Sequence, residues 1–98
     1  MSQFNDLING EQPVLVDFFA EWCGPCKAMA PVLKDVVAKL KGKARIIKVD
    51  IDKNPAVTTK YNVRSVPTLI LFKKGEIKWQ QSGAIPGNQL LSHIEKFI

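Results

Sequence analysis

Cysteine and histidine are scarce in this chain, whose 98 residues include two cysteines and one histidine. A structural zinc site needs about four ligands, and the two cysteines with the distant His93 fall short of that number. A purely structural disulfide between Cys23 and Cys26 is also a weak explanation, because closing so short a loop restricts the unfolded chain little. The sequence therefore predicts no metal site, and the cysteine pair needs another explanation.

Long apolar runs are absent as well. No segment approaches the ~20 consecutive apolar residues of a membrane helix, and the N-terminal MSQFNDLINGEQ lacks the basic and apolar regions of a secretory signal. We therefore expect a location in the reducing cytoplasm and no membrane partner. No glycine-rich phosphate-binding motif occurs either, so we expect the chain to hold no nucleotide cofactor.

Negative charge is in the minority, since 9 Asp and Glu residues oppose 14 Lys and Arg residues and give a net charge of +5. Much of the excess lies at Lys34, Lys39, Lys41, Lys43 and Arg45. A nucleic-acid-binding surface combines a basic patch with a recognisable motif or interleaved aromatic residues, and the sequence has neither. We interpret the basic residues as a solvated face and predict no nucleic-acid partner.

The overall composition is that of an ordinary globular protein, with 46% apolar and 23% charged residues. The length suits one domain, residues 1–98, and we expect it to be monomeric. The run Val14–Ala20 is apolar on both alternating faces apart from Asp17, as in a strand in the middle of a sheet. A helical stripe from Met29 to Leu40 follows it and ends at Gly42.

The rest of the chain continues this alternation of strands and helices. Asn54 and Pro55 mark a helix start, with Asn54 as the capping side chain and Pro55 at the first helical position. The weak first helix and the later elements are expected at 3–9, 44–50, 55–61, 68–72 and 77–81. A last, amphipathic helix is expected after Pro86 and Gly87, with its apolar side formed by Leu90, Leu91, Ile94, Phe97 and Ile98. The order αβαβαββα, with right-handed crossovers between parallel strands, predicts an α/β fold: a central mixed four-stranded sheet with helices on both faces.

The cysteines lie in the segment EWCGPCKA, residues 21–28. Cys23 follows the buried strand and opens a helix, where unpaired N–H groups and the positive end of the helix dipole favour a thiolate. Cys26 is one helical turn later on the same side, close enough for the two sulfurs to bond. Gly24 leaves an open approach and Pro25 stiffens the turn. The pattern predicts a pair that cycles between dithiol and disulfide.

These residues also carry a resemblance to the thioredoxin family. The segments VDFFAEWCGPCK (16–27), VPT (66–68) and KGE (74–76), together with Gly83, occur in the order and spacing of that family. The resemblance implies the thioredoxin fold and the activity of a protein-disulfide reductase. Cys23, expected to be the exposed cysteine, would attack a disulfide of a client protein, and Cys26 would resolve the mixed disulfide. A separate flavoprotein, thioredoxin reductase, would supply electrons from NADPH.

Asp17 is a carboxylate among Val, Leu and Phe residues, and burial of this kind raises the pKa of an aspartate. Such a group is suited to accept a proton from Cys26. The alternative is an aspartate turned to solvent at a sheet edge. The resemblance implies that Asp17 lies beneath the cysteine pair with Lys48 near it, and the charge of Lys48 would oppose the rise in pKa.

The resemblance also implies a docking surface for client proteins. A cis peptide bond is expected before Pro67, and the backbone of Val66 would pair with an extended client segment. The residues of this surface are Trp22, Gly24, Pro25, Ile51, Val66, Pro67, Gly83 and Ala84.

The chain departs from the family pattern at three places. Phe19 stands where tryptophan is common, which we expect to alter packing and fluorescence more than chemistry, and Ser65 stands where glycine is common. The N-terminal segment leaves little room for the first strand usual in the family, so four strands are expected. Two other functions remain open: an oxidase or isomerase of the same fold, and a redox-indifferent module that binds proteins through its apolar surface.

Overall fold

The computed structural model of the protein describes residues 2–98. These residues form helices and strands in the order αβαβαββα, which confirms the predicted order. The elements are α1 (Ser2–Ile8), β1 (Val14–Phe19), α2 (Gly24–Leu40), β2 (Arg45–Asp50), α3 (Pro55–Lys60), β3 (Thr68–Lys73), β4 (Glu76–Ser82) and α4 (Gly87–Glu95).

The four strands form one mixed sheet in the order β2-β1-β3-β4. Strand β1 runs parallel to β2 and antiparallel to β3, and β3 runs antiparallel to β4. Strands β1 and β3 therefore occupy the centre of the sheet. Both are almost wholly buried, because helices cover both faces, and this explains their nearly continuous apolar sequences.

Side chains of the central strands alternate between two apolar cores. Leu15 and Leu69 pack on the face covered by α2 and α4, whereas Val16, Phe18 and Ile70 pack on the face covered by α1 and α3. Burial of each large side chain contributes roughly 1.5–3 kcal/mol to stability. Since successive residues of a strand point to opposite faces, Asp17 shares the α2 and α4 face with Leu15.

Strands β3 and β4 are joined by a tight hairpin turn at Lys74 and Gly75. Both residues have positive φ, 56° and 78°, the combination required by the type I′ turns that match the twist of paired strands. The backbone N–H of Gly75 donates to the carbonyl of Ile8 over 3.0 Å, and that of Lys74 donates to the carbonyl of Gly10 over 2.8 Å. The turn thus also holds the end of α1 against the sheet.

Helix α3 begins at Pro55 as expected, but the predicted capping role of Asn54 is wrong. The Asn54 side chain makes no cap hydrogen bond; its Nδ2 donates instead to the backbone carbonyl of Asp50 over 3.0 Å. Asp50 in turn accepts the backbone N–H of Asp52 at its Oδ1 over 2.9 Å. Contacts to the end of β2 therefore outweigh the local cap, and they shape the loop that carries Ile51 and Asp52.

In residues 2–98, every helix is too short or too polar to cross a membrane.

Candidate active site

Cys23 and Cys26 form a disulfide at the start of α2, with their Cα atoms 5.3 Å apart. Helix α2 begins at Gly24 with Pro25 in its first turn, and Cys23 occupies the N-cap position. The Cys23 Sγ accepts a hydrogen bond from the backbone N–H of Cys26 over 3.1 Å. Its place at the N-cap also puts this sulfur at the positive end of the helix dipole. The predicted place of the cysteine pair at a helix start is confirmed.

The expectation that Cys23 is exposed is wrong for the disulfide form. Only 4% of Cys23 and 5% of Cys26 is exposed to solvent. Both pack with Ala20 in a small buried cluster, which Ile51 and Val66 partly cover. The exposed part of the segment is instead formed by its neighbours, and 69% of Trp22 is exposed. The sulfurs are thus recessed within a surface that a docking protein would contact first.

Asp17 lies in the central strand β1 and is 1% exposed, so the solvent-facing alternative is wrong. Neither carboxylate oxygen has a hydrogen-bond partner within the described part of the chain. Burial raises the pKa of Asp17 from its ordinary 3.8 to about 6, and the positive charge of Lys48 opposes the rise. A carboxylate that titrates close to neutral pH is suited to proton transfer.

Strand alternation and helix periodicity place Asp17 and Cys26 on facing surfaces. Asp17 shares the α2 and α4 face of the sheet, and the buried stripe of α2 that covers this face begins with Cys26 and continues through Met29 and Leu33. The parallel register puts Lys48 of β2 directly beside Asp17. Asp17 and Lys48 are therefore neighbours on the face of the sheet that α2 covers.

An open pocket of about 460 Å³ leads from solvent to Cys26. The Lys48 Nζ lies over the Phe19 ring, 4.9 Å from its centroid. The residues that line the pocket are Phe19, Ala20, Glu21, Cys26, Lys27, Ala30 and Lys48. The pocket connects the Cys26 side of the disulfide with solvent.

The peptide bond between Val66 and Pro67 is cis, as expected. Pro67 is buried, Val66 is half-buried, and the backbone N–H of Gly83 donates to the Pro67 carbonyl over 2.8 Å. This bond ties the end of β4 to the beginning of β3. Val66 and Ile51 pack against the cysteine cluster, so the structure brings these candidate docking residues beside the disulfide.

A second, apolar recess of about 400 Å³ adjoins the start of α2. It is lined by Pro25, Ala28, Met29, Val32, Ala84, Ile85 and Pro86. Sequence reasoning identified Pro25 and Ala84 and missed the others. The spacing of 28, 29 and 32 on the same side of the helix as Pro25 was a signal for three of the missed residues, whereas Ile85 and Pro86 carried none.

Sequence reasoning also missed Asp52. The indole Nε1–H of Trp22 donates to Asp52 Oδ2 over 3.0 Å, which fixes the edge of an exposed ring next to Cys23. The two residues are distant in sequence, so no local pattern could have paired them.

His93 is not part of the cysteine site: its ring stacks on Trp79, with the centroids 4.7 Å apart. Between residues 2 and 98 we find no group of three or more His, Cys, Asp or Glu side chains arranged to hold a metal.

Comparison with known proteins adds an independent line of evidence. The thioredoxin family model matches residues 1–96. A thioredoxin from Rickettsia felis is 45% identical over 93 residues, covering 95% of this chain and 89% of the relative. Thioredoxin C-2 from Corynebacterium nephridii is 46% identical over 93 residues, covering 95% of this chain and 86% of the relative.

A solved structure has the same fold. The structure of a mutant thioredoxin from Halobacterium salinarum superposes with a TM-score of 0.88 at 35% identity, covering 99% of this chain and 84% of that one. Fold, full-length sequence similarity and a cysteine pair within bonding distance agree. The chain therefore belongs to the thioredoxin family, and it is a protein-disulfide reductase of the thiol–disulfide oxidoreductase class.

Proposed function

We propose that Cys23 is the attacking cysteine and Cys26 the resolving one. In the reduced protein, the Cys23 thiolate attacks one sulfur of a client disulfide, and the other client sulfur leaves as a thiolate that takes a proton from solvent. The Cys26 thiolate then attacks Cys23, forms the Cys23–Cys26 disulfide and releases the second client sulfur as a thiolate, which also takes a proton from solvent. The client gains two electrons, and the protein ends in the oxidised form that the structure contains.

The position of Cys23 at the N-cap of α2 is the observation that carries this assignment. Its sulfur accepts the Cys26 backbone N–H, and a thiolate there gains from the orphan N–H groups of the first helical turn. Cys26 lies inside the helix and borders the pocket that contains Lys48. The two sulfurs therefore have different surroundings, which suits different roles.

Asp17 is proposed to accept the proton of the Cys26 thiol when Cys26 attacks the mixed disulfide. A pKa of about 6 leaves the Asp17 carboxylate mostly ionised at neutral pH, yet basic enough to take up a proton in passing. Lys48 moderates this basicity because its charge favours the ionised carboxylate. The pocket beside Cys26 is open to solvent, which gives the proton a way out.

Client proteins are proposed to dock around Val66. In the described part of the chain, the backbone N–H and C=O of Val66 make no hydrogen bond to another backbone group, so they are free to pair with an extended client segment. Such pairing is independent of side-chain sequence and suits a reductant of many clients. The flanking surface comprises Trp22, Gly24, Pro25, Ile51, Pro67, Gly83 and Ala84, to which the structure adds the apolar recess beside Pro25.

Thioredoxins are reduced by thioredoxin reductase and act on disulfide-containing clients. We propose the same for this chain, with NADPH and flavin confined to the reductase and no resident cofactor or metal here. We further propose a cytoplasmic monomer in which residues 1–98 act as one domain. The basic face is proposed to be solvated rather than to bind nucleic acid.

Reduction of insulin disulfides, driven by dithiothreitol or by NADPH with a thioredoxin reductase, tests the proposal. The protein should accelerate insulin precipitation over a protein-free control, and Cys23→Ser should abolish the acceleration. A Cys23→Ser/Cys26→Ser variant that retained full cellular function would favour the redox-indifferent binding module. An oxidase or isomerase would be favoured if the protein accelerated the oxidative refolding of a reduced substrate more than it accelerated the reduction of an oxidised one.

A further inference from the structure

Three side chains near the carboxyl end of β1 share one face of the sheet. Asp17 and Phe19 are two residues apart on β1, so both project from the same face. The parallel register pairs Lys48 of β2 with Asp17, which makes Phe19 the diagonal neighbour of Lys48. Long and aromatic side chains can reach each other across such a diagonal. Lys48 therefore has two candidate partners, a carboxylate and a ring.

The Lys48 ammonium lies over the ring of Phe19 and not against the carboxylate of Asp17. Its Nζ is 4.9 Å from the centroid of Phe19, within the range in which an aromatic face attracts a cation. The ion pairs that residues 2–98 form within 4.0 Å do not include Lys48 with Asp17, and both Asp17 oxygens lack a hydrogen-bond partner. Lys48 is exposed and Asp17 is buried, so direct pairing would require the ammonium to give up water.

We propose that Phe19 is a positioning residue whose ring holds the Lys48 ammonium at the pocket mouth, beside Cys26, and away from direct contact with Asp17. The proposal rests on the function assigned above, in which Asp17 accepts the Cys26 proton. It also gives Phe19 a part in the chemistry, beyond the effect on packing and fluorescence expected from sequence.

The physical consequence concerns how basic Asp17 is. A direct ion pair strongly favours the charged form of a carboxylate, so Lys48 in contact with Asp17 would make it a weaker proton acceptor at neutral pH. Held over Phe19, Lys48 acts only at a distance and burial continues to dominate. The other charged groups around the pocket are Glu21 and Lys27, both exposed. On the opposite side of Asp17, β3 presents the uncharged Leu69.

Two substitutions distinguish the effect of the aromatic face of Phe19 from the effect of its apolar bulk. Phe19→Leu removes the aromatic face and keeps an apolar side chain, whereas Phe19→Trp keeps an aromatic face. We expect Phe19→Leu to lower the pKa of Asp17, measured by NMR titration of its carboxyl carbon in the oxidised protein, by about 1. Phe19→Trp should leave it close to that of the unchanged protein. The pH profile of mixed-disulfide resolution should move to lower pH by the same amount in Phe19→Leu alone.

A double-mutant cycle shows whether Phe19 acts through Lys48. In a Lys48→Met background, which keeps the aliphatic stem without the charge, Phe19→Leu should no longer lower the pKa of Asp17. An equal effect in both backgrounds, or no effect of Phe19→Leu in the unchanged background, would overturn the proposal. Thermal unfolding of each variant checks that the fold is retained.

The unchanged protein offers a test that needs no variant to fold. Protons next to the Lys48 ammonium should show an upfield ring-current shift, because they lie over the face of Phe19. The absence of this shift would also overturn the proposal. Both NMR measurements are independent of activity: loss of the insulin reaction would contradict the proposed function, whereas an unshifted Lys48 resonance would contradict the role of Phe19.

Discussion

The indole N–H of Trp22 donates to the Asp52 carboxylate over 3.0 Å, and it thereby ties the exposed ring beside Cys23 to the loop after β2. The ring offers a client an apolar surface next to the cysteines, since 69% of Trp22 is exposed. Without the bond, a client would have to order the ring as it docks, at the cost of conformational entropy.

Asp52→Ala should therefore weaken client binding. A hydrogen bond of this kind contributes about 1 kcal/mol, so we expect KM for insulin to rise about fivefold with little change in kcat. Asp35→Ala is the matched control, because Asp35 is an exposed aspartate paired with Lys39 on α2. An unchanged KM in Asp52→Ala would show that the bond does not contribute to docking.

Asp17→Asn should slow resolution of the mixed disulfide near neutral pH, because the amide cannot accept the Cys26 proton. Loss of a general base lowers such a rate on the order of 10²-fold. Stopped-flow kinetics with a client whose mixed disulfide accumulates before it is resolved separate this step from the initial attack by Cys23, which should be little affected. Resolution at the unchanged rate would remove the proposed role of Asp17.

The raised pKa of Asp17 also makes stability depend on pH. The folded protein holds the Asp17 proton up to a pH of about 6, whereas the unfolded chain releases it near 3.8. The folded state therefore binds more protons in this window, and the contribution of Asp17 to the free energy of unfolding falls as pH rises from about 3.8 to about 6.

The size of this loss is about 3 kcal/mol for a shift of this magnitude. Urea unfolding of the unchanged protein and of Asp17→Asn across this range should show a difference that grows by about that amount toward neutral pH. A constant difference between the two proteins would mean that Asp17 is not the titrating group.

Leu90 and Leu91 are neighbours on α4 that differ in burial. Leu90 is fully buried in the core between α4, α2 and the sheet, whereas Leu91 packs at its edge. Leu90→Ala should lower the free energy of unfolding by about 2–5 kcal/mol, because it leaves a cavity, and Leu91→Ala should cost less. Equal losses in denaturant unfolding would contradict the packing described for α4.

Ala28 tests whether the recess beside Pro25 binds clients. It is an exposed residue in the lining of the recess, so Ala28→Asp places a charge where an apolar partner surface would sit. We expect KM for insulin and for the reductase to rise about fivefold, the equivalent of about 1 kcal/mol. Ala38→Asp, at another exposed position of the same helix, should leave both values unchanged; similar effects from the two would assign them to net charge.

The elements of the fold could be predicted because their signals are local. The two-sided apolar run from Val14 placed β1 between other strands, and the structure has it between β2 and β3. The cysteine spacing, with Gly24 and Pro25, predicted a helix start at Cys23, and that residue is the N-cap of α2. Such patterns arise from backbone geometry within a few residues, so they do not depend on distant parts of the chain.

Features for which several contacts compete could not be predicted. Asn54 has the sequence of a capping residue, but its side chain bonds the carbonyl of Asp50, four residues earlier at the end of β2, instead. Cys23 was expected to be exposed, but it packs with Ala20 and Cys26 in the disulfide form, and Ile51 and Val66 from other parts of the chain partly cover this cluster. The residue types allow both arrangements in each case, and the packing of the folded chain decides between them.

The sequence by itself determined the order of the elements, the place of the cysteine pair and the burial of Asp17 in a central strand. Only the tertiary structure decided that Lys48 lies over Phe19, that Trp22 is held by Asp52 and that Pro25 and Ala84 share a recess. The physical reason is the range of the interactions: periodicity and chain stiffness act between near neighbours, whereas these contacts join residues that meet only after the sheet and helices have packed.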